Sequence, residues 1–370
     1  MYDSIYQHIS QHALTSQLES AARAALIDSL PPGSRERRSI ECDDRFAQAP
    51  FTLAPSAANT IPADEFREIA ARHIGAPSPA CAPYVGRPID VSGRGGDGTV
   101  DKYGDNLITA CVAGHHDANL RHNPLRDAVA EVAKLFGAVV VRTEDGHHFL
   151  RALTPQALFA AINEGNLTAR LRGVTPDITI RLDPSSQQKI YEVKVIGYCK
   201  TWYPDLPVNS SAKYGVEKRA QSVPGEYARK LRAHDVKFGM RARASDGGPP
   251  GPLEASLASA NLQVLVSGAF GEGNKGLHSF VRELAVSGAP RLQAKLGLDP
   301  GAAAARIRRV AYERIGLAIA RGHAQQLLAR LGCVDVLRAH RNGARVGDAV
   351  LACEAPTLLI TSDRSATTSE

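Results

Sequence analysis

Two runs of alternating residues constrain the fold of this 370-residue chain more than any other feature. They are DITIRL at 177–182 and KIYEVKVIG at 189–197, and the polar turn DPSS at 183–186 lies between them. Alternation of this kind is typical of a strand with one buried face, because successive side chains point to opposite faces. The pair therefore predicts an antiparallel β-hairpin.

The hairpin brings three charged side chains together. Glu192 and Lys194 share one face of the second strand, and its apolar side chains lie on the other. We expect Leu182 to pair with Lys189. Asp177 then faces Lys194 and lies diagonal to Glu192, whereas a shift of two residues would put Asp177 directly opposite Glu192. Either register keeps the charged groups within about 5–8 Å at Cβ, and a shift of one residue would separate them.

Two neighbouring carboxylates are the ligands that a hard divalent cation such as Mg²⁺, or Mn²⁺ in its place, prefers. A lysine beside the ion can position a water molecule and neutralise charge that builds up on a phosphate. Asp177, Glu192 and Lys194 therefore predict metal-assisted phosphodiester hydrolysis. The alternative is a structural cluster of charges on a half-exposed hairpin.

Helical and β-branched patterns surround the hairpin and predict an α/β protein. Asn123 is a good N-cap with Pro124 at the first helical position, and Gly137 can end that helix. The patterns predict helices over 3–30, 64–75, 123–137, 154–162, 225–238 and 278–285, strands over 138–142 and 262–270, and a mainly helical segment from 290 to about 340.

Composition is ordinary for a folded protein, with 44% apolar and 22% charged residues. The length favours two or three domains. No run approaches the roughly 18 apolar residues of a membrane span, and the first ten residues lack a signal-peptide pattern, so we expect an intracellular protein without a membrane partner. The six cysteines lie far apart without a CxxC pair, which favours a reducing compartment.

Positive charge is concentrated near the C-terminal end. Residues 301–345 contain nine arginines, no lysine and only two acidic residues, a net charge of +7 against +6 for the whole chain. A basic helical surface attracts polyanions such as DNA. The alternative is an ordinary solvated helix face.

The motifs around the hairpin resemble a known nuclease superfamily. Pro176-Asp177 followed by Glu192-Val193-Lys194, in this order of helices and strands, resembles the PD-(D/E)xK restriction-endonuclease-like proteins. YGDN at 103–106, Cys111 and RHNPLRD at 121–127 resemble, more specifically, the restriction-like endonuclease region that ends the reverse-transcriptase polyproteins of certain non-LTR retrotransposons. The resemblance covers roughly residues 50–285, and no reverse-transcriptase motif lies upstream.

This resemblance implies an αβββαβ core, with a mixed central sheet flanked by helices, and helical N- and C-terminal extensions. It implies an Mg²⁺-dependent endonuclease that nicks target DNA, with Asp177 and Glu192 as metal ligands and Lys194 as the third catalytic residue. The implied division is a helical and loop-rich region at 1–110, the nuclease domain at 115–286, a basic helical region at 290–345 and a tail at 354–370. The resemblance is compatible with an oligomer. If the chain comes from a eukaryotic retroelement, the resemblance implies a nuclear protein.

The zinc knuckle that precedes the nuclease in this family is degenerate here. Asn106 stands where the family has histidine, Cys111 matches the last cysteine, and the nearest upstream cysteine is the distant Cys81. His115 and His116, with His122, are the candidate replacement ligands, but we do not expect zinc. GRGGDG at 93–98 lacks the strand and helix of a dinucleotide site, so we expect no nucleotide cofactor.

Several further residues are candidates for contact with DNA or metal. Arg121 and His122 match the family motif that would contact the scissile phosphate, and Glu131 on the same helix is a weaker candidate metal ligand. Trp202 and Tyr203 either stack on a base or pack in the core. The basic residues expected to face the DNA backbone after the hairpin are Lys213, Lys218, Arg219, Arg229, Lys230 and Arg232.

Two other functions remain open alternatives. A catalytically inactive DNA-binding remnant would keep the basic surfaces and lack turnover. A protein-interaction module would show neither activity nor DNA binding at moderate salt.

Overall fold

The computed structural model describes residues 11–54, 56, 59–89, 98–110, 119–144, 148–154, 156, 174–205, 211–240 and 249–341. The predicted helix at 154–162 and the C-terminal tail fall almost entirely outside these ranges.

The helices of the N-terminal part are α1 (Gln11–Ser29), α2 (Arg35–Glu41), α3 (Arg45–Thr52), α4 (Ala63–His73) and α5 (Asp105–Thr109). The following part contains α6 (Asn119–Leu135), β1 (Val140–Thr143), β2 (Ile178–Arg181), β3 (Lys189–Val195), α7 (Lys213–Lys237), α8 (Pro252–Ser259) and β4 (Leu262–Ser267). Two long helices complete it, α9 (Lys275–Leu296) and α10 (Pro300–Arg341). The α/β prediction is thereby confirmed.

The strands form one mixed sheet in the order β1-β2-β3-β4. β1, β2 and β3 are antiparallel neighbours, and β4 lies parallel to β3. Ile178, Tyr191 and Val193 bury one face of the sheet against α6, α9 and α10. Ile190 belongs to a second core, with Leu231 of α7 and Leu253 of α8. The sheet is therefore the middle layer between two layers of helices.

The hairpin is confirmed, but its predicted register is wrong. Ile178 pairs with Tyr191 and Ile180 with Lys189, so the pairing is shifted by two residues from the expected Leu182–Lys189 pair. The turn is therefore two residues longer than expected, and within it the Asp183 side chain accepts the backbone N–H of Ser185 at 3.0 Å. A shift of two residues leaves every side chain on its predicted face, which is why alternation alone does not distinguish the two registers.

Three helices have bounds that differ from the predicted ones. α6 begins at Asn119, so Pro124 lies inside it rather than at its first position, and α7 begins twelve residues before its predicted start with Pro224 inside. Each internal proline removes one backbone hydrogen bond, and the tertiary contacts of these long helices offset that cost. Pro290 likewise lies inside α9, which crosses the predicted boundary at 286–290.

Two predicted helix ends, at Gly75 and Gly137, are confirmed. Gly75 and Gly137 have positive φ angles of 70° and 89° just after α4 and α6. On α4, Ile69 is buried, whereas Phe66 is 43% exposed and Ile74 is 62% exposed. Glu65 is buried instead and pairs with Arg321 of α10, with Nε and Oε2 2.8 Å apart.

The long helix α10 packs into the same core as the sheet. Ile307, Ile315 and Ile319 are buried in the cluster that contains the sheet residues. Arg330, one of the nine arginines of the basic segment, is buried and donates to the carbonyl oxygen of Ile108 at 2.7 Å. Part of the predicted basic surface therefore has a structural role.

We expect opposite effects from alanine at two glycines of α10. A Cβ atom at Gly316 would lie 2.3 Å from the carbonyl oxygen of Phe46 on α3, whereas one at Gly332 would have no neighbour within 4 Å. Gly316→Ala should lower the melting temperature by several degrees because the two helices must separate. Gly332→Ala should raise stability by up to about 1 kcal/mol because alanine favours the helix. Thermal unfolding by circular dichroism measures both, and equal effects would contradict the close packing.

None of the helices in the ranges above combines the length and apolarity that a membrane span requires. The described cysteines Cys42, Cys81 and Cys199 carry free thiols.

Candidate active site

Asp177 and Glu192 lie directly across the β2–β3 pair from each other. Asp177 is the residue before β2. The last pair of β2 and β3 is Ile178–Tyr191, and continuing that register by one residue sets Asp177 opposite Glu192. The Val193 backbone N–H donates to Asp177 Oδ2 at 2.7 Å, which fixes this carboxylate against β3. The expected juxtaposition of the two carboxylates is therefore present, in the register that we did not favour.

His122 of α6 is held against Asp177. Its Nε2 lies 3.1 Å from Asp177 Oδ1, and its Nδ1 lies 3.2 Å from Asn123 Oδ1. The motif at 121–127 predicted a phosphate contact for His122, whereas the structure places its ring on the first carboxylate of the site. Spacing along the chain contains no signal for this contact, because 55 residues separate the two positions.

Glu192 is buried and has a partner at each oxygen. Lys194, two residues along the same strand, pairs with Oε1, and the Tyr227 hydroxyl of α7 donates to Oε2. The shared face of Glu192 and Lys194 is thus confirmed. Tyr227 was not identified as a site residue from the sequence. The one pattern that includes it is the apolar stripe of α7, which it shares with Val223 and Leu231.

The pKa values of the two carboxyl groups move in opposite directions. Burial raises the pKa of Glu192, and the neighbouring charge of Asp177 raises it further, against the effects of Lys194 and Tyr227. Burial also acts to raise the pKa of Asp177, but His122, Lys194 and the Val193 N–H together hold it below its usual value. The pKa of His122 is raised above its usual value because the contact with Asp177 outweighs its burial. Such divergent carboxyl pairs are a feature of functional sites.

The donor set suits a hard cation bound mainly by water and phosphate oxygens. Two carboxylates face each other, and each raises the cost of ionising the other unless a positive charge lies between them. Mg²⁺ is commonly held by one or two carboxylates together with waters and substrate phosphates. Over the described ranges, no three His, Cys, Asp or Glu side chains form a group that could hold a metal ion. Among the described residues, this site therefore offers two neighbouring carboxylates rather than a complete cage.

Two other predicted site residues of α6 lie elsewhere. Glu131 is exposed, and it lies nine residues after His122, which is two and a half turns and so the opposite side of the helix. It is therefore not placed with Asp177 and Glu192. The Nε and Nη1 atoms of Arg121 are buried. A Cβ atom built on Gly197 would lie 3.3 Å from Nη1, so the guanidinium group of Arg121 lies beside the end of β3.

The basic residues of α7 do not form one face. At 100° per residue, Lys218, Arg229 and Arg232 lie within about 40° of the direction opposite Tyr227, and hence away from Glu192. Arg219 and Lys230 lie on one flank of the helix, about 60–80° from Tyr227, and Lys213 lies within about 40° of the direction of Tyr227. The DNA-contacting face predicted for this helix is thus divided around it.

Several of these cations have protein partners. Arg219 pairs with Glu226 on its own helix, and Arg232 reaches Glu254 of α8 at 2.6 Å. Lys218 donates to the carbonyl oxygen of Thr201 at 2.9 Å. The side chains of Lys213, Lys218, Arg229 and Lys230 are exposed. These four remain candidates for backbone contacts with DNA.

The two candidate stacking aromatics have different environments. Tyr203 is fully buried, and its hydroxyl donates to Glu272 Oε1 at 2.5 Å, so it packs in the core. Trp202 is half-buried, with the Arg219 guanidinium carbon 5.5 Å from its ring centroid. Base stacking therefore remains a prediction for Trp202 and is excluded for Tyr203.

The predicted remnant of a zinc knuckle is described only in part. Cys81 lies in an apolar cluster with Leu107 and Leu327, where burial raises the pKa of its thiol to about 11. Asn106 is exposed on α5. Cys111, His115 and His116 lie outside the described residues.

Comparisons with known proteins identify no relative of this chain. No family model matches the chain, and neither a curated protein nor a solved structure matches it.

Proposed function

We propose that this protein is a metal-dependent endonuclease that hydrolyses DNA phosphodiester bonds and derives from a retroelement. The observation that carries the proposal is the register that sets Asp177 opposite Glu192, with Lys194 paired to Glu192. The order of the described elements α6, β1, β2, β3, α7, α8 and β4 also supports it, because it is compatible with the αβββαβ order that the resemblance implies.

Each residue of the site has a chemical role in this proposal. Asp177 and Glu192 would hold Mg²⁺ or Mn²⁺, and the bound ion would polarise the phosphate and lower the pKa of a water molecule. The Val193 N–H and His122 orient Asp177, which leaves it ionised at neutral pH. Lys194 lies beside both carboxylates, where its ammonium group can hold the attacking water and offset charge on the phosphate.

DNA is the proposed substrate, and target-site nicking the proposed role. The net charge of +6 and the exposed cations of α7 favour a polyanion. The resemblance of 103–111 and 121–127 to the endonuclease region of retroelements favours DNA as that polyanion.

Incubation of the purified chain with supercoiled plasmid tests this proposal. We expect conversion to open-circle or linear DNA with 5 mM Mg²⁺ or Mn²⁺, and no conversion with EDTA, because two carboxylates alone do not activate water. Lys194→Ala should retain the fold and lose at least about 100-fold of the rate, since a charge stabilising the transition state is removed.

The same assay identifies the alternative function. A salt-sensitive gel shift without metal-dependent conversion would contradict the nuclease and indicate a DNA-binding remnant. Absence of both would indicate a protein-interaction module, with the charged cluster as a structural feature of the hairpin.

A further inference from the structure

We infer that Tyr227 is a positioning residue that sets the metal affinity of the candidate site through Glu192. The inference rests on the proposed function, because it assigns a role toward the same ion. It adds a residue from α7 to a site whose three predicted catalytic residues, Asp177, Glu192 and Lys194, all lie on the hairpin.

One phenol contacts both segments that carry the carboxylates. The Tyr227 hydroxyl donates to Glu192 Oε2, and it lies 3.4 Å from the carbonyl oxygen of Thr175, two residues before Asp177. Tyr227 itself is 2% exposed and packs with Phe149, Val223 and Leu231. Its ring is therefore rigid, and its hydroxyl position is determined by the core of the protein.

This contact restricts the orientation of the Glu192 carboxylate. Lys194 holds Oε1 from the same strand and Tyr227 holds Oε2 from α7, so the carboxylate is fixed from two directions. Each oxygen keeps a further lone pair for a cation. A carboxylate that is already oriented loses little rotamer freedom when it binds an ion. Hydrogen-bond partners of metal ligands typically contribute 10–100-fold to the affinity for the metal.

The chain offers a matched control in a second buried phenol–carboxylate pair. Tyr203 donates to Glu272 Oε1 at 2.5 Å, and both residues are fully buried. Neither Tyr203 nor Glu272 contacts Asp177, Glu192 or Lys194 through any of the hydrogen bonds described above. Tyr203→Phe therefore removes the same type of bond, together with the bond that the Tyr203 hydroxyl accepts from the Ala269 N–H at 3.0 Å, and leaves the candidate site unchanged.

Mn²⁺ binding to the full chain, measured by calorimetry and by the electron paramagnetic resonance signal of the free ion, tests the inference. We expect one Mn²⁺ per wild-type chain, no such binding by Asp177→Asn, and 10–100-fold weaker binding by Tyr227→Phe. Tyr203→Phe should bind as the wild type does. Thermal melting of each variant confirms that the compared chains are folded.

A double-mutant cycle separates action through Glu192 from a general loss of structure. In the Glu192→Gln background, Tyr227→Phe should weaken binding by less than about 2-fold, because the carboxylate through which it acts is gone. A full additional loss in that background, or unchanged Mn²⁺ affinity of Tyr227→Phe alone, would overturn the inference and leave the proposed function intact. Absence of Asp177-dependent Mn²⁺ binding in the wild type would overturn both.

Discussion

Asp177→Asn should abolish metal-dependent plasmid cleavage, with a fall in rate of at least about 10³-fold. The substitution removes the charge that holds the cation, and a bound metal contributes several kcal/mol to stabilising charge in the transition state. A loss of about 4 kcal/mol corresponds to a factor of 10³. Asn has the volume of Asp and keeps an oxygen that can accept the Val193 N–H, so the hairpin should remain folded.

The matched control for this variant lies at the other end of the same hairpin. Asp183 is in the exposed turn, and its side chain accepts the N–H of Ser185 at 3.0 Å, a bond that asparagine can keep. Asp183→Asn should cleave plasmid at the wild-type rate. Full activity in Asp177→Asn would contradict the assignment of the first carboxylate, and equal losses in both variants would show that the hairpin rather than the metal is affected.

Ile315→Ala should lower the free energy of unfolding by about 2–5 kcal/mol. Ile315 is completely buried in the cluster that α10 forms with the sheet and with α6 and α9. Its truncation removes apolar contacts and leaves a cavity that the surrounding helices fill only in part. Urea unfolding followed by circular dichroism measures the change.

Val286 is the control for this prediction, because it is 75% exposed on α9. Val286→Ala should change the free energy of unfolding by less than about 0.5 kcal/mol. A comparable small effect from Ile315→Ala would mean that α10 is attached to the surface of the protein and is not part of its core.

The hairpin shows which features can be read from the sequence. Period-two alternation determines faces, so Glu192 and Lys194 were correctly placed together, with Tyr191 and Val193 on the apolar side. The register depends on turn geometry, and the Asp183 turn is longer than the shortest connection that the pattern allows. Asp177 was therefore expected opposite Lys194 and lies opposite Glu192.

The contacts that complete the site cannot be predicted from local sequence patterns. His122 and Tyr227 belong to helices that cover different faces of the sheet, and they meet the carboxylates only because tertiary packing brings the helices there. Each is separated from its partner by more than thirty residues of chain. The short helices α2 and α3 were missed for a related reason, since seven or eight residues rarely form a helix without the packing of neighbours.

The packing of α10 against the N-terminal helices also determines when these helices can reach their native contacts during synthesis. Glu65 of α4 pairs with Arg321, which the ribosome adds 256 residues later. At bacterial or eukaryotic translation rates this interval is about 13–50 s. During that time the surfaces that α3 and α4 present to α10 lack their native partner, so this part of the nascent chain reaches its native packing only after α10 has been made.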